Sequence, residues 1–156
     1  MLQGFYKAQG NIMDNGVHRI TENVHETLAF AAEFAGSLKS GDVVAMTGDL
    51  GAGKTVFAQG VARALGITDE ITSPTFTLIH EYHGSITLYH MDLYRMNSTE
   101  EMRGIGIEDY FYGDGICLVE WAEKLEELCP DNAIRVTLKH LEGDRREITI
   151  ERQQIQ

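Results

Sequence analysis

Gly48, Gly53, Lys54 and Thr55 occupy the four fixed positions of the spacing G-x-x-x-x-G-K-[ST] in the octet GDLGAGKT. Residues of these types at this spacing hold a chain of phosphates. Gly48, Gly51 and Gly53 let the backbone take positive φ and bring successive N–H groups against phosphate oxygens. Lys54 reaches the β- and γ-phosphates, and Thr55 offers a hydroxyl to Mg²⁺. Asp49, Leu50, Ala52 and Val56 complete the expected nucleotide-binding segment. With 16 glycines in 156 residues, a chance match anywhere in the chain is a roughly half-percent event.

Such a loop works only between a strand and a helix, and the flanking residues supply both. Val43 to Thr47, VVAMT, is a short apolar, β-branched run that reads as a buried parallel strand, entered through a turn at Gly41 and Asp42. Val56, Phe57, Ala58, Val61, Ala64 and Leu65 then recur at helical spacing until Gly66 ends the pattern. Phosphate therefore sits at a helix N-terminus, where free N–H groups and the helix dipole favour anions.

A phosphate loop is half of an ATP site, because Mg²⁺ also takes an acidic residue from the end of a neighbouring strand. Glu120 ends the apolar run ICLV, and Asp92 lies late in the strand pattern YHMDLYR. Each is a candidate, and each alone reads equally as a solvated strand-end acid. Ser73-Pro74-Thr75 is either a γ-phosphate-sensing switch or an ordinary turn into a strand. His80, His83 and His90 are too scattered for a metal triad and read as surface or packing residues. Trp121 reads as core, with its position beside Glu120 leaving a ligand contact open.

Around these residues the pattern is mixed α/β. Val24, Leu28, Ala31, Ala35 and Leu38 mark one face of a helix over 22–38, with Thr21 as its N-cap. TFTLIHEY and ITLYHMDL flank a turn at His83, Gly84 and Ser85 as one hairpin, and AIRVTLKH and REITIER flank LEGDR as another. Ser98 with Glu101 caps a short helix, and WAEKLEEL reads as a helix after ICLVE. The order α-β-α-β-β-α-β-α-β-β predicts a P-loop NTPase-like mixed sheet, with parallel core strands flanked by helices and a terminal β-hairpin. Residues 1–20 are expected to be a flexible extension and 21–156 a single domain.

Composition narrows the partners. No apolar run approaches the length of a membrane span, and the first residues lack the h-region and cleavage site of a secretory signal. Cys117 and Cys129 match no metal spacing and read as ordinary buried or half-buried thiols. A net charge of −11 repels a phosphate backbone, so nucleic acid is not expected to bind this chain directly, whereas a protein partner is.

GDLGAGKT, SPTFTLIHEY, YHMDLYR, GIEDYF and CLVEW, in this order, resemble the TsaE (YjeE) family over about residues 21–150. The resemblance implies a cytoplasmic, Mg²⁺-dependent P-loop ATPase. It would serve a TsaB–TsaD complex, in which TsaD installs the N6-threonylcarbamoyl group on adenosine 37 of tRNA, and would meet tRNA only through that complex. By the same resemblance Thr55 and Glu120 hold Mg²⁺, Lys54 and Asp92 act in hydrolysis, and Arg145 or Arg146 of the GDRRE loop lies near the base. A GTPase is disfavoured, because neither N-K-x-D nor D-x-x-G occurs in the chain. The competing class is a small-molecule kinase, which needs an arginine-bearing lid, yet only Arg103 lies between Arg95 and Glu120. A binding module that uses the loop only to clamp ADP is a third class, and the paired Asp92 and Glu120 argue against it.

Overall fold

Val43–Thr47 (β2) and Ile116–Glu120 (β5) are buried along nearly their whole length, as near-continuous apolar strands of a parallel sheet must be. They pair with each other in the computed structural model, which describes residues 16–49, 51–72 and 78–152. The other strands are β1 (Gly16–Thr21), β3 (Ile79–Tyr82), β4 (Leu88–Asp92), β6 (Ile134–His140) and β7 (Arg146–Glu151). Among the described residues the sheet has seven strands in the order β1-β7-β6-β2-β5-β4-β3. β6, β2, β5 and β4 run parallel, and the two hairpin partners β7 and β3 are antiparallel at either side. Mixed α/β with a parallel core and a terminal hairpin is therefore the observed class.

The helices divide between the faces. α1 (Val24–Ala35) and α2 (Lys54–Ala64) pack on one face over Val44, Met46, Leu88, Ile116 and Leu118. α3 (Thr99–Gly104), α4 (Ile107–Phe111) and a 3₁₀ segment over Ala122–Leu128 cover Val43, Ala45, Met91, Cys117 and Val119 on the other. β6 alternates buried and exposed residues, so this half of the sheet is covered on one face only. Cys117 is buried, and that burial pushes its thiol up to about 12, while Cys129 is half-buried.

Three expectations are corrected. Residues 16–20 belong not to a flexible extension but to β1, which pairs with β7 from Gly16 opposite Glu151 to Thr21 opposite Arg146. Its inward position 19 is an arginine, whose guanidinium lies 4.4 Å from the Phe30 ring centre and pairs with Glu33, so the alternation of a strand is disguised. The first helix is capped by Asn23, whose side chain accepts from the Glu26 N–H, and Thr21 instead bonds the Thr27 hydroxyl at 2.6 Å. Its buried stripe is Thr27, Phe30, Ala31, Phe34 and Ala35, leaving Val24 exposed. The segment after β5 is not one helix but 3₁₀ turns interrupted at Glu126, where φ is 49°.

α1 and α2 are in close contact at Gly60. A Cβ there would lie 2.6 Å from both the Ala31 Cβ and the Leu28 carbonyl oxygen. Gly60→Ala gains about 1 kcal/mol of helix propensity. Against that, forced overlap costs about 1–3 kcal/mol, and a backbone carbonyl cannot rotate away. The expected net result is a lower urea midpoint than wild type; an unchanged or higher midpoint would contradict this packing.

Candidate nucleotide-binding site

The phosphate loop leaves the C-terminal end of β2 and enters α2 at Lys54, between the ends of β5 and β6. Such a crevice at the carboxyl ends of parallel strands is the ligand position of open α/β sheets. Gly48, Gly51 and Gly53 have φ of 153°, 79° and 99°, the conformations their spacing predicts. A Cβ on Gly48 would lie 2.5 Å from the Leu138 carbonyl oxygen, so only glycine fits where the loop passes β6. Asp49 accepts from the Ala52 N–H at 3.0 Å, closing the turn, and Ala52 is buried. Thr55 and Val56 follow in the first turn of α2, both half-buried. Leu50 and the Ser73-Pro74-Thr75 segment lie outside the described residues.

Lys54 is nearly buried, with its ammonium bonded to the Gly48 carbonyl and 3.8 Å from the centre of the Trp121 ring. Burial pushes its pKa below the usual lysine value, and the carboxylates of Glu120, Glu123, Asp92 and Asp49 oppose that shift. Trp121 is therefore more than core. It sits in the left-handed region at φ 58° and ψ 41°, a conformation that costs a non-glycine residue on the order of 1 kcal/mol or more. That backbone turn delivers its ring to Lys54 and to Tyr94, 5.0 Å away.

Glu120 and Asp92 are register neighbours at the ends of β5 and β4, which brings the two sequence candidates together. Glu120 is 3 % exposed and bonds His90 Nε2 at 2.5 Å. Asp92 accepts from the Tyr94 N–H at 2.9 Å. Burial raises the Asp92 carboxyl above its usual value; the Tyr94 N–H opposes this, Glu120 adds to it, and His90 and Lys54 oppose it again. Among the described residues, no three His, Cys, Asp or Glu side chains converge into a metal cage. The donor set of Thr55 with one carboxylate suits Mg²⁺, which keeps waters and takes the rest of its ligands from phosphate.

The two arginines of the GDRRE loop separate. Arg145 pairs with Glu22 at 3.1 Å, whereas Arg146 lies over the phosphate loop, its Nε 3.3 Å from where a Cβ on Gly53 would stand. Arg146 and Asp144 line a small cleft with Gly53, Val56, Val24 and Thr27. The residue that the sequence reading missed is His90. It is fully buried, and its only signal was strand parity, two residues before Asp92 on the same face.

The model of the family described as threonylcarbamoyl adenosine biosynthesis protein TsaE matches residues 21–148. The chain is 49% identical over 130 residues to the tRNA threonylcarbamoyladenosine biosynthesis protein TsaE of Bacillus subtilis, covering 83% of this chain and 81% of that one. It is 42% identical over 131 residues to the protein of that name from Treponema pallidum, covering 84% and 97%. A crystal structure of YdiB from Bacillus subtilis superposes with a TM-score of 0.74 at 43% identity, covering 88% of this chain and 85% of that one. Family model, relatives and fold agree: this chain belongs to the TsaE family of threonylcarbamoyl adenosine biosynthesis proteins.

Proposed function

We propose that the chain is a Mg²⁺-dependent ATPase whose nucleotide cycle supports a TsaB–TsaD complex during threonylcarbamoylation of adenosine 37 in tRNA. The observation that carries the ATPase reading is the meeting of Lys54, Glu120 and Asp92 at a phosphate loop with three positive-φ glycines. The loop N–H groups and Lys54 bind the β- and γ-phosphates at the start of α2. Thr55 and Glu120 hold the cation. Mg²⁺ supplies neutralisation of charge on the phosphate oxygens. Asp92, with its carboxyl raised and held by the Tyr94 N–H, orients and accepts a proton from the attacking water. Arg146, over Gly53, flanks the nucleotide beyond the phosphates.

The kinase alternative loses support from the one arginine a lid would have used. Arg103 pairs with Glu108 and Glu127 on the face of the sheet opposite α1 and α2. No described helix is long and apolar enough to cross a membrane, and we place the protein with its partners in the cytoplasm. The test is ATP turnover with and without purified TsaB and TsaD: stimulation by both proteins is expected, and stimulation by a metabolite instead would favour a kinase.

The net charge of −11 sets a second expectation. Binding to a nucleic acid gains most of its free energy from neutralising phosphates with Lys and Arg, and this surface has the opposite sign. In a gel-shift assay at physiological salt the isolated chain is expected to retain no tRNA, while the assembled complex retains it. Submicromolar binding by the chain alone would overturn an indirect role.

A further inference from the structure

His90 lies in the middle of β4, paired in register with Leu118 of β5 and fully shielded from solvent. It projects to the α1/α2 face, like Leu88 before it and Asp92 after it. One ring nitrogen, Nε2, is 2.5 Å from Glu120 Oε2, and the other, Nδ1, has no hydrogen-bond partner among the described residues. A hydrogen on Nδ1 would thus be a buried, orphaned donor, which costs more than a bare lone pair. The neutral tautomer with its hydrogen on Nε2 satisfies both observations, so we assign Nε2–H as donor and the Glu120 carboxylate as acceptor.

From this geometry we infer that His90 is a positioning residue for the cation site, acting through Glu120; the inference rests on the Mg²⁺-dependent nucleotide reading above. Glu120 ends its strand beside a second carboxylate, Asp92, and near the Lys54 ammonium. Left to rotate, its side chain has two competing electrostatic neighbours. The His90 N–H removes that freedom by tying down Oε2, which leaves the second oxygen to serve a cation. Asp92 is held separately by the Tyr94 N–H, so the adjacent acids are clamped by different donors and keep different tasks. Donors that orient a ligating carboxylate in this way are worth about 10–100-fold in metal affinity when removed.

The test titrates Mg²⁺ against binding of a fluorescent ATP analogue, with EDTA as the metal-free reference, for wild type, His90→Leu and His90→Gln. Leucine fills the buried space without a donor. Glutamine places an amide N–H at a reach comparable with Nε2 and an oxygen lone pair in place of Nδ1. The expected result is that His90→Leu needs about tenfold more Mg²⁺ or greater for half-saturation, binds as wild type does in EDTA, and is rescued by His90→Gln. The inference is overturned if His90→Leu titrates like wild type, if it loses affinity equally in EDTA, or if His90→Gln is as impaired as His90→Leu. A wild-type protein whose ATP binding ignores Mg²⁺ would instead remove the metal-site reading itself. The tautomer is checked independently of any variant by ¹⁵N shifts of the labelled histidine rings: His90 is expected to carry its hydrogen on Nε2, and a hydrogen on Nδ1 overturns the assignment.

Discussion

Lys54→Ala is expected to lower ATP affinity or turnover by at least about tenfold while the protein stays folded. The loss follows from the role proposed for the ammonium: a charge-assisted bond to phosphate is worth about 1.5–3 kcal/mol, and tenfold corresponds to about 1.4 kcal/mol. Folding should survive, because among the described residues Lys54 bonds a loop carbonyl, that of Gly48, and the face of Trp121, neither of which is part of the sheet core. A cation over an exposed or half-exposed ring is worth about 0.5–2 kcal/mol. The measurement is nucleotide titration and turnover, with thermal melting to confirm the fold. Lys54→Met, which keeps the apolar stem against Trp121, is expected to fail at ATP in the same way and melt closer to wild type. A folded Lys54→Ala protein with unchanged affinity and turnover would remove the phosphate-loop reading.

The second large effect separates Glu120 from Asp92. Glu120→Gln keeps an oxygen for the His90 N–H but loses the negative charge, so ATP binding is expected to weaken in Mg²⁺ and to stay unchanged in EDTA. Glu120→Ala should show the same metal dependence and, in addition, a lower melting temperature, since it leaves the buried His90 donor without a partner. Asp92→Ala removes no phosphate donor and should leave ATP binding nearly intact. Its cost falls on hydrolysis in the presence of the partners, by the roughly 10²–10⁴-fold that a positioned base contributes. ATP affinity of all three variants with Mg²⁺ and with EDTA, beside turnover, decides the matter. If Asp92→Ala carries the Mg²⁺-dependent loss and Glu120→Gln does not, the two roles are reversed and Asp92 is the cation ligand.

What the sequence determined by itself was whatever depends on neighbours along the chain. Gly48, Gly51 and Gly53 could be assigned positive φ, Lys54 and Thr55 a helix start, and VVAMT and ICLVE a buried parallel pairing, because loop conformation and strand burial are local consequences of residue type. Both hairpins and the Ser98 cap were legible for the same reason. Strand β1 was not. Arg19 occupies an inward position whose residue type is polar, and the Phe30 ring and Glu33 of the next element help make that position tolerable. The separation of Arg145 from Arg146 likewise depends on partners remote in sequence, since Arg146 at the start of β7 lies beside Gly53 while Arg145 pairs with Glu22. Tertiary structure alone decided the inner side of the site. Glu120, Asp92 and His90 come from two strands joined by the 23 residues 93–115, with Asp92 in register with Glu120. Parallel pairing placed their side chains on one face at one end of the sheet. A histidine that looked like packing thereby became the donor that holds a carboxylate, since a buried ring nitrogen takes its meaning from whatever the adjacent strand sets against it.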